Sequence, residues 1–266
     1  MKFRIASDIH NEFLSSSPDY QDYEFPPLPD DKDTTLILAG DIGVLCSPRT
    51  YAGFYGKCSK QFKNIFVVEG NHCFYNGNID TLSIQSMIDA YQMPNVFTDK
   101  LIFDDEKIAI IGKTLWTDFN NGDPLSMFYA QKGMNDFRCI TIDDGKTSFL
   151  PPDALKLHYE QKKYIFDNVK YYTELGYKVI VVTHHQPSSK AIDKLYQGSP
   201  LNGAFYSELD EEIKQHKIEY WIAGHTHTSI KYEIGDTKCI TNVLGYPFEK
   251  GATGFDPLLT IEVTNE

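Results

Sequence analysis

An α/β fold is predicted by three observations taken together. Short apolar runs recur along the chain, helix-length stretches fall between them, and five of the runs are followed at once, or nearly so, by small polar blocks of Asp, Asn, His and Gly. In open α/β architectures ligands gather at the carboxyl ends of strands, so the third observation also predicts where the chemistry lies.

The elements follow in order. Residues 2–7 form the first strand candidate, with Phe3 and Ile5 alternating with charged neighbours. Residues 34–39 (TTLILA), 65–69 (IFVVE), 107–112 (KIAIIG), 178–183 (KVIVVT) and 219–223 (EYWIA) are continuously apolar, as buried strands read. Residues 237–242 and 258–263 complete the set, and residues 232–240 read as a hairpin around Gly235-Asp236. The longest helix opens at Pro152-Asp153 with Asp153 as N-cap. It carries Leu155, Tyr159, Ile165, Phe166 and Val169 as an apolar stripe and stops at Gly176. Residues 80–91 and 205–216 are shorter helical stretches. Residues 15–33, with four prolines, six acidic residues and no helical period, read as a long loop: first a solvated connection, second a flap over the site. His158 and His216 read as surface residues, Trp116 and Trp221 as core. With no internal repeat or linker, residues 1–266 read as one domain.

Composition excludes several classes. Hydrophobic residues make up 41% and charged residues 23%, as in soluble globular proteins. No stretch approaches the ~18 apolar residues of a membrane helix, and the N-terminal apolar run is too short for a signal peptide, so a cytoplasmic location is expected and no membrane partner. The net charge of −12 makes nucleic acid a poor partner without excluding a small anionic substrate, since bound cations reverse a local field. Five scattered cysteines without a CxxC pair suggest neither a disulfide framework nor a zinc ribbon.

The five polar blocks are Asp8-Ile9-His10, Gly40-Asp41, Gly70-Asn71-His72, His184-His185 and Gly224-His225-Thr226-His227. Asp, Asn and His are hard to borderline donors suited to divalent ions. Asp8 and His10 are two apart, so extended backbone aims both to one side, and His225 and His227 repeat the relation. With Asp41, Asn71 and His184 this gives seven candidate ligands. Seven is too many for one tetrahedral zinc and suits two ions, roughly 3.5–4 Å apart, sharing a carboxylate. Glycines 40, 70 and 224 fit sharp strand-to-loop turns.

The ordered set resembles the calcineurin-like metallophosphoesterases, across residues 8 to 227. Residues 112–118 (GKTLWTD), 134–138 (MNDFR) and 183–187 (THHQP) are further similar to a bacterial and phage subgroup of small single-domain members. The resemblance implies a two-sheet αββα sandwich with a dinuclear metal site at the C-terminal strand edge. By the same likeness Asp8, His10 and His227 would hold the first ion, Asn71, His184 and His225 the second, and Asp41 would bridge. His72 would bind no metal, meeting the substrate phosphate and donating a proton to the leaving oxygen. Two departures stand out. The residue after His72 is usually acidic in the family and is Cys73 here, and residues 242–246 lack an arginine that related sequences often carry.

The expected function is hydrolysis of a small phosphoester, a diester (cyclic nucleotides included) slightly ahead of a monoester. A water activated by two divalent ions would attack in line, Mn²⁺ being the first expectation and Fe, Zn²⁺ or Ni²⁺ alternatives. Asn11, His185 and Arg138 are candidate substrate contacts. The alternatives are a nuclease acting on ends or single strands with the same metals, and a non-catalytic metal-binding scaffold of the same fold.

Overall fold

The computed structural model describes residues 1–14, 22–249 and 251–264. Two sheets face each other. The first runs in the order Thr260–Glu262, Lys2–Ala6, Thr35–Leu38, Asn64–Val67, Val96–Phe97, parallel except for the antiparallel Thr260–Glu262 edge. The second runs Lys231–Ile234, Thr237–Thr241, Tyr220–Ala223, Lys178–Thr183, Ile108–Lys113, Lys100–Phe103, with parallel strands at the centre and an antiparallel strand at each edge.

The continuously apolar runs are explained by burial on both faces. In Asn64–Val67 and beyond, Phe66 and Val68 point into the space between the sheets, whereas Ile65 and Val67 pack against helices. Ile180 and Val182 against Val179 and Val181 repeat the division in the second sheet. The outer face of the first sheet is covered by the helices Pro48–Gln61 and Ile84–Tyr91, through Phe54, Tyr55, Cys58 and Ile88. The outer face of the second is covered by Pro151–Glu174, through Ile165, Phe166 and Val169. The layers are therefore helix, sheet, sheet, helix, the expected αββα sandwich.

All eight strand expectations are met within a residue or two at each end. Several helical ones need correction. Asp153 is not the N-cap of the long helix. Leu150 holds that position, and Asp153 reaches back from the first turn to accept its N–H at 2.9 Å. Of the proposed stripe, Tyr159 is exposed. The 205–216 stretch shrinks to Asp210–Lys214, and the 80–91 stretch begins at Ile84, where the Ser83 hydroxyl accepts from the Ser86 N–H. The helices Pro48–Gln61 and Pro124–Gly133 were not anticipated.

His158 is fully buried, its Nδ1 3.0 Å from the Leu115 carbonyl, which corrects the surface reading. His216 is half-buried against the Phe166 ring. Of the 15–33 loop, residues 15–21 lie outside the described residues. The rest is no flap: Phe25 enters the core beside Phe54 and Phe62, and Asp31 forms a buried ion pair with Arg4 at 3.1 Å.

Candidate metal centre

The five polar blocks converge at the carboxyl ends of strands from both sheets. The loops that carry them are stitched to one another by backbone hydrogen bonds. Asp8 N–H donates to Gly40 O, His10 N–H to Asp41 O, and Gly224 N–H to His184 O, at 2.9–3.0 Å. Asp8, His10, Asp41, His225 and His227 all have positive φ, between 49° and 71°. That region is costly for non-glycine residues and clusters at functional sites, because each side chain must be turned out of the strand direction toward a common point.

Two glycines make room for this convergence. A Cβ on Gly224 would stand 2.5 Å from Asp8 Oδ2 and 2.9 Å from the Ala39 carbonyl, and one on Gly70 would strike the Asp41 carboxylate. The constraint is thus close approach to ligand side chains. Of the three glycines, only Gly40 also has a positive φ.

The ligand atoms form two groups. Donor atoms of Asp8, His10 and His227 lie within 4.8 Å of one another, as do those of Asp41, His184 and His225. Asn71 Oδ1 is 2.9 Å from His184 Nε2 and joins the second group. Asp41 Oδ2 stands between them, 3.3 Å from His184 Nε2 and 3.9 Å from His10 Nε2, the place of a shared carboxylate.

The outer partners fix which nitrogen faces inward. A carboxylate or carbonyl only accepts, so the ring nitrogen beside it must carry the proton. Glu12 Oε1 lies 2.9 Å from His10 Nδ1, Glu249 Oε2 2.6 Å from His227 Nδ1, and the Ala39 carbonyl 3.0 Å from His184 Nδ1. In each ring Nε2 is left toward the cluster. Asp136 accepts from Asn71 Nδ2 at 2.8 Å and from the Tyr75 hydroxyl at 2.6 Å, turning the amide oxygen of Asn71 inward.

The residues fit divalent cations on two observations. His225 Nε2 is buried without a hydrogen-bond partner, and His10 Nε2 and His227 Nε2 face each other at 3.2 Å. Electrostatics agree. Burial raises the Asp8 and Asp41 carboxyls, but His227 and His184 outweigh it for Asp8. For Asp41 the neighbouring His184, His72 and His10 hold it well below the ordinary value. Burial opposes charge on His184 and His227, yet Asp41 and Asp8 push each up to about 9. Protons sit where cations would. His225 is driven well below 6.5 by burial and by His185 and His184.

His72 stands beside the cluster. Its Nδ1 is 3.0 Å from the same Glu12 Oε1 that holds His10, and its Nε2 is 3.2 Å from the Tyr246 hydroxyl. Its ring stacks on Tyr75 at 4.0 Å, and its backbone N–H donates to Asp41 Oδ1 at 2.9 Å. Position 73 offers no carboxylate, and the one at His72 Nδ1 comes from Glu12 in the short helix Asn11–Leu14. Cys73 is buried, and its Sγ accepts from the Gly70 N–H at 3.3 Å.

A cavity of about 370 Å³ opens in front of Asp41, Asn71, His72, His225 and His227. The three expected substrate contacts do not line it. Asn11 is buried and accepts from the Tyr23 N–H. His185 is buried between Trp116 and His225 beneath the site, and burial followed by His184 pushes it down to about 3, so it is neutral. Arg138 is exposed, its guanidinium bonded to Asn135 and to the Lys132 carbonyl. Glu12, Asp136, Tyr246 and Glu249 were missed as site residues. The only signal was that Asp136 lies in the MNDFR segment and that Glu12 stands two residues after His10.

The chain is similar to known proteins over most of its length. An uncharacterized protein of Acanthamoeba polyphaga mimivirus is 30% identical over 279 residues, covering 98% of this chain and 96% of the viral one. The fold is similar to that of a phosphopantetheinyl hydrolase from Mycobacterium tuberculosis, with a TM-score of 0.67 at 16% identity, covering 93% of this chain and 90% of that one. It is also similar to a dimetal phosphatase from Danio rerio, with a TM-score of 0.52 at 14% identity, covering 97% and 89%. The family model for calcineurin-like phosphoesterases matches residues 1–229, and the chain belongs to that family.

Proposed function

We propose that the protein hydrolyses a small phosphoester, a monoanionic diester ahead of a dianionic monoester, with His72 as the proton donor. The observation that carries this is the setting of His72, anchored on Glu12 and Asp41 at the edge of a complete ligand cluster. Asp8, His10 and His227 would hold one ion, Asn71, His184 and His225 the other, with Asp41 shared. Bound there, two divalent ions supply an activated water and neutralise phosphoryl charge; Mn²⁺ suits the nitrogen and oxygen donors and is the first to try.

The chain's own residues do the rest. Glu12 keeps the proton on His72 Nδ1, so Nε2, facing Tyr246, is the nitrogen that delivers a proton to the leaving oxygen. Burial disfavours charge on His72, but Asp41 and Glu12 together raise its pKa above 6.5, which keeps a proton on it near neutrality.

The diester preference rests on charge. No Lys or Arg is among the described residues lining the cavity, so the second charge of a monoester dianion meets no cationic side chain. The same absence disfavours a nucleic-acid backbone, which needs several such contacts. No helix among the described residues is long and apolar enough to cross a membrane.

The test is turnover of a diester and monoester panel by protein loaded with Mn²⁺, with His72→Ala beside it. The reading expects activity on diesters and a loss of roughly 10²–10⁴-fold in kcat for the variant. No turnover, or turnover indifferent to the substitution, overturns it.

A further inference from the structure

The cavity in front of the ligand cluster has a second wall that bears no metal ligand. It is built by a segment that leaves the His184-His185 block and returns to it. The Gln186 N–H donates to the Phe205 carbonyl at 3.2 Å, and the Ser207 N–H donates to the Gln186 carbonyl at 3.1 Å. Midway, Leu201 leans on Gly133, where a Cβ would stand 2.7 Å from Leu201 Cδ1, so the segment is propped on the helix Pro124–Gly133. Both ends and the middle are therefore fixed.

This wall presents Ile192, Tyr196, Leu201 and Phe205 to the cavity. The Phe205 ring lies 4.8 Å from that of His225, so the wall begins directly beside a candidate ligand. Tyr196 is 60% exposed, leaving much of its ring uncovered by protein. Of the charged residues of this segment, Lys190, Asp193 and Lys194, Asp193 is the one that lines the cavity. Lys190 pairs with Asp210 at 2.9 Å. A phosphoryl group seated at the candidate ligand cluster would thus place the rest of its molecule against four apolar or aromatic side chains, the neutral polar Ser199 and Asn202, and one carboxylate.

Resting on the phosphoesterase reading above, we propose that this wall is the subsite for the alcohol portion of the substrate. It accepts an uncharged, ring-bearing group, and Asp193 turns away substrates that carry a second anion. One phosphoryl group and a neutral ring define the class. Polyphosphates and phosphoesters of carboxylated alcohols fall outside it.

Three non-cleavable probes separate this proposal from the reading beneath it: methylphosphonate, benzylphosphonate and 4-carboxybenzylphosphonate. Their binding to Mn²⁺-loaded protein is followed by titration calorimetry, without turnover. Burying one ring against the wall is expected to make benzylphosphonate about tenfold tighter than methylphosphonate. The added carboxylate is expected to cancel most of that gain. Asp193→Asn should raise the affinity for 4-carboxybenzylphosphonate relative to benzylphosphonate at least about fivefold, and Tyr196→Ala should lower the benzyl-to-methyl ratio. Methyl and benzyl probes of equal affinity, or a carboxylated probe as tight as the plain one, overturn the subsite while leaving the phosphoesterase reading intact. Protein that takes up two ions, binds none of the three dianionic probes and turns over no diester overturns both, whereas probes left unbound by protein that still turns over diesters overturn the subsite alone.

Discussion

Replacing Glu12 by Gln perturbs two functions through one atom. Its Oε1 lies 2.9 Å from His10 Nδ1 and 3.0 Å from His72 Nδ1, so one carboxylate orients a candidate metal ligand and the candidate proton donor together. Gln keeps the shape but removes the charge, and its single side-chain oxygen accepts only neutral-strength bonds. Each lost charge-assisted hydrogen bond in so enclosed a place is worth about 1.5–3 kcal/mol. Outer partners of metal-binding histidines are commonly worth about 10–100-fold in affinity or activity. The expected result is weaker binding of the ion held by Asp8, His10 and His227, by about tenfold or more, and a fall in kcat that persists at saturating Mn²⁺. There is also a direction in pH. His72 is raised by Asp41 and Glu12 against the opposing effect of burial, so losing the Glu12 charge lowers it. A proton donor with a lower pKa loses its proton sooner as pH rises, and the alkaline limb of kcat moves to lower pH. Calorimetric Mn²⁺ titration and a pH profile of kcat read the two effects separately. Unchanged ion affinity with an unmoved alkaline limb would refute the role given to Glu12.

The remaining predictions concern the cluster itself. In chelator-treated protein His184 and His227 sit at about 9, above the ordinary 6.5, so their stabilising contribution is fully present below pH 6.5 and is lost as pH rises through 9. His225 and His185 are depressed, so they are neutral in the folded chain, and their opposing contribution is complete about one pH unit above 6.5, leaving the rest of the window to His184 and His227. Thermal denaturation without ions should therefore show Tm falling between pH 6.5 and 9, and the gain in Tm on adding Mn²⁺ should grow over the same range; a gain that shrinks with pH contradicts the assignment. Asp136→Ala removes the acceptor of Asn71 Nδ2 and of the Tyr75 hydroxyl. It should weaken the ion held by Asn71, His184 and His225 by about 10–100-fold while sparing the other, so that one of two binding steps shifts in a calorimetric Mn²⁺ titration.

The parts of this molecule that were legible in its sequence are those where one residue type has one physical reason to be there. The apolar runs 65–69 and 178–183 read as strands because both faces are buried, and a helix of that length would need a polar side. The seven candidate ligands stood out because Asp, Asn and His after apolar strands, with glycine directly before Asp41, Asn71 and His225, have few other uses. The partners that orient them were not. Glu12 sits in the four-residue helix Asn11–Leu14 with only its nearness to His10 to mark it, and Glu249, 22 residues beyond His227, has nothing local to distinguish it from a solvated surface acid. Their role arises from tertiary convergence, which spacing does not encode. His158 failed for the same reason, since a histidine in a long helix faces the core or solvent according to the helix's rotation. Helix Pro48–Gln61 was missed because its stripe of Phe54, Tyr55 and Cys58 is interleaved with glycines and lysines that blur the period.

The candidate site calls for two ions per chain, shared through Asp41. Metal stoichiometry at saturation, by elemental analysis after equilibration with Mn²⁺, tests it most directly. The account predicts two ions per chain for the parent protein and a loss of paired binding in Asp41→Asn. One ion or fewer in the parent, or two retained in the variant with unchanged affinity, would contradict it.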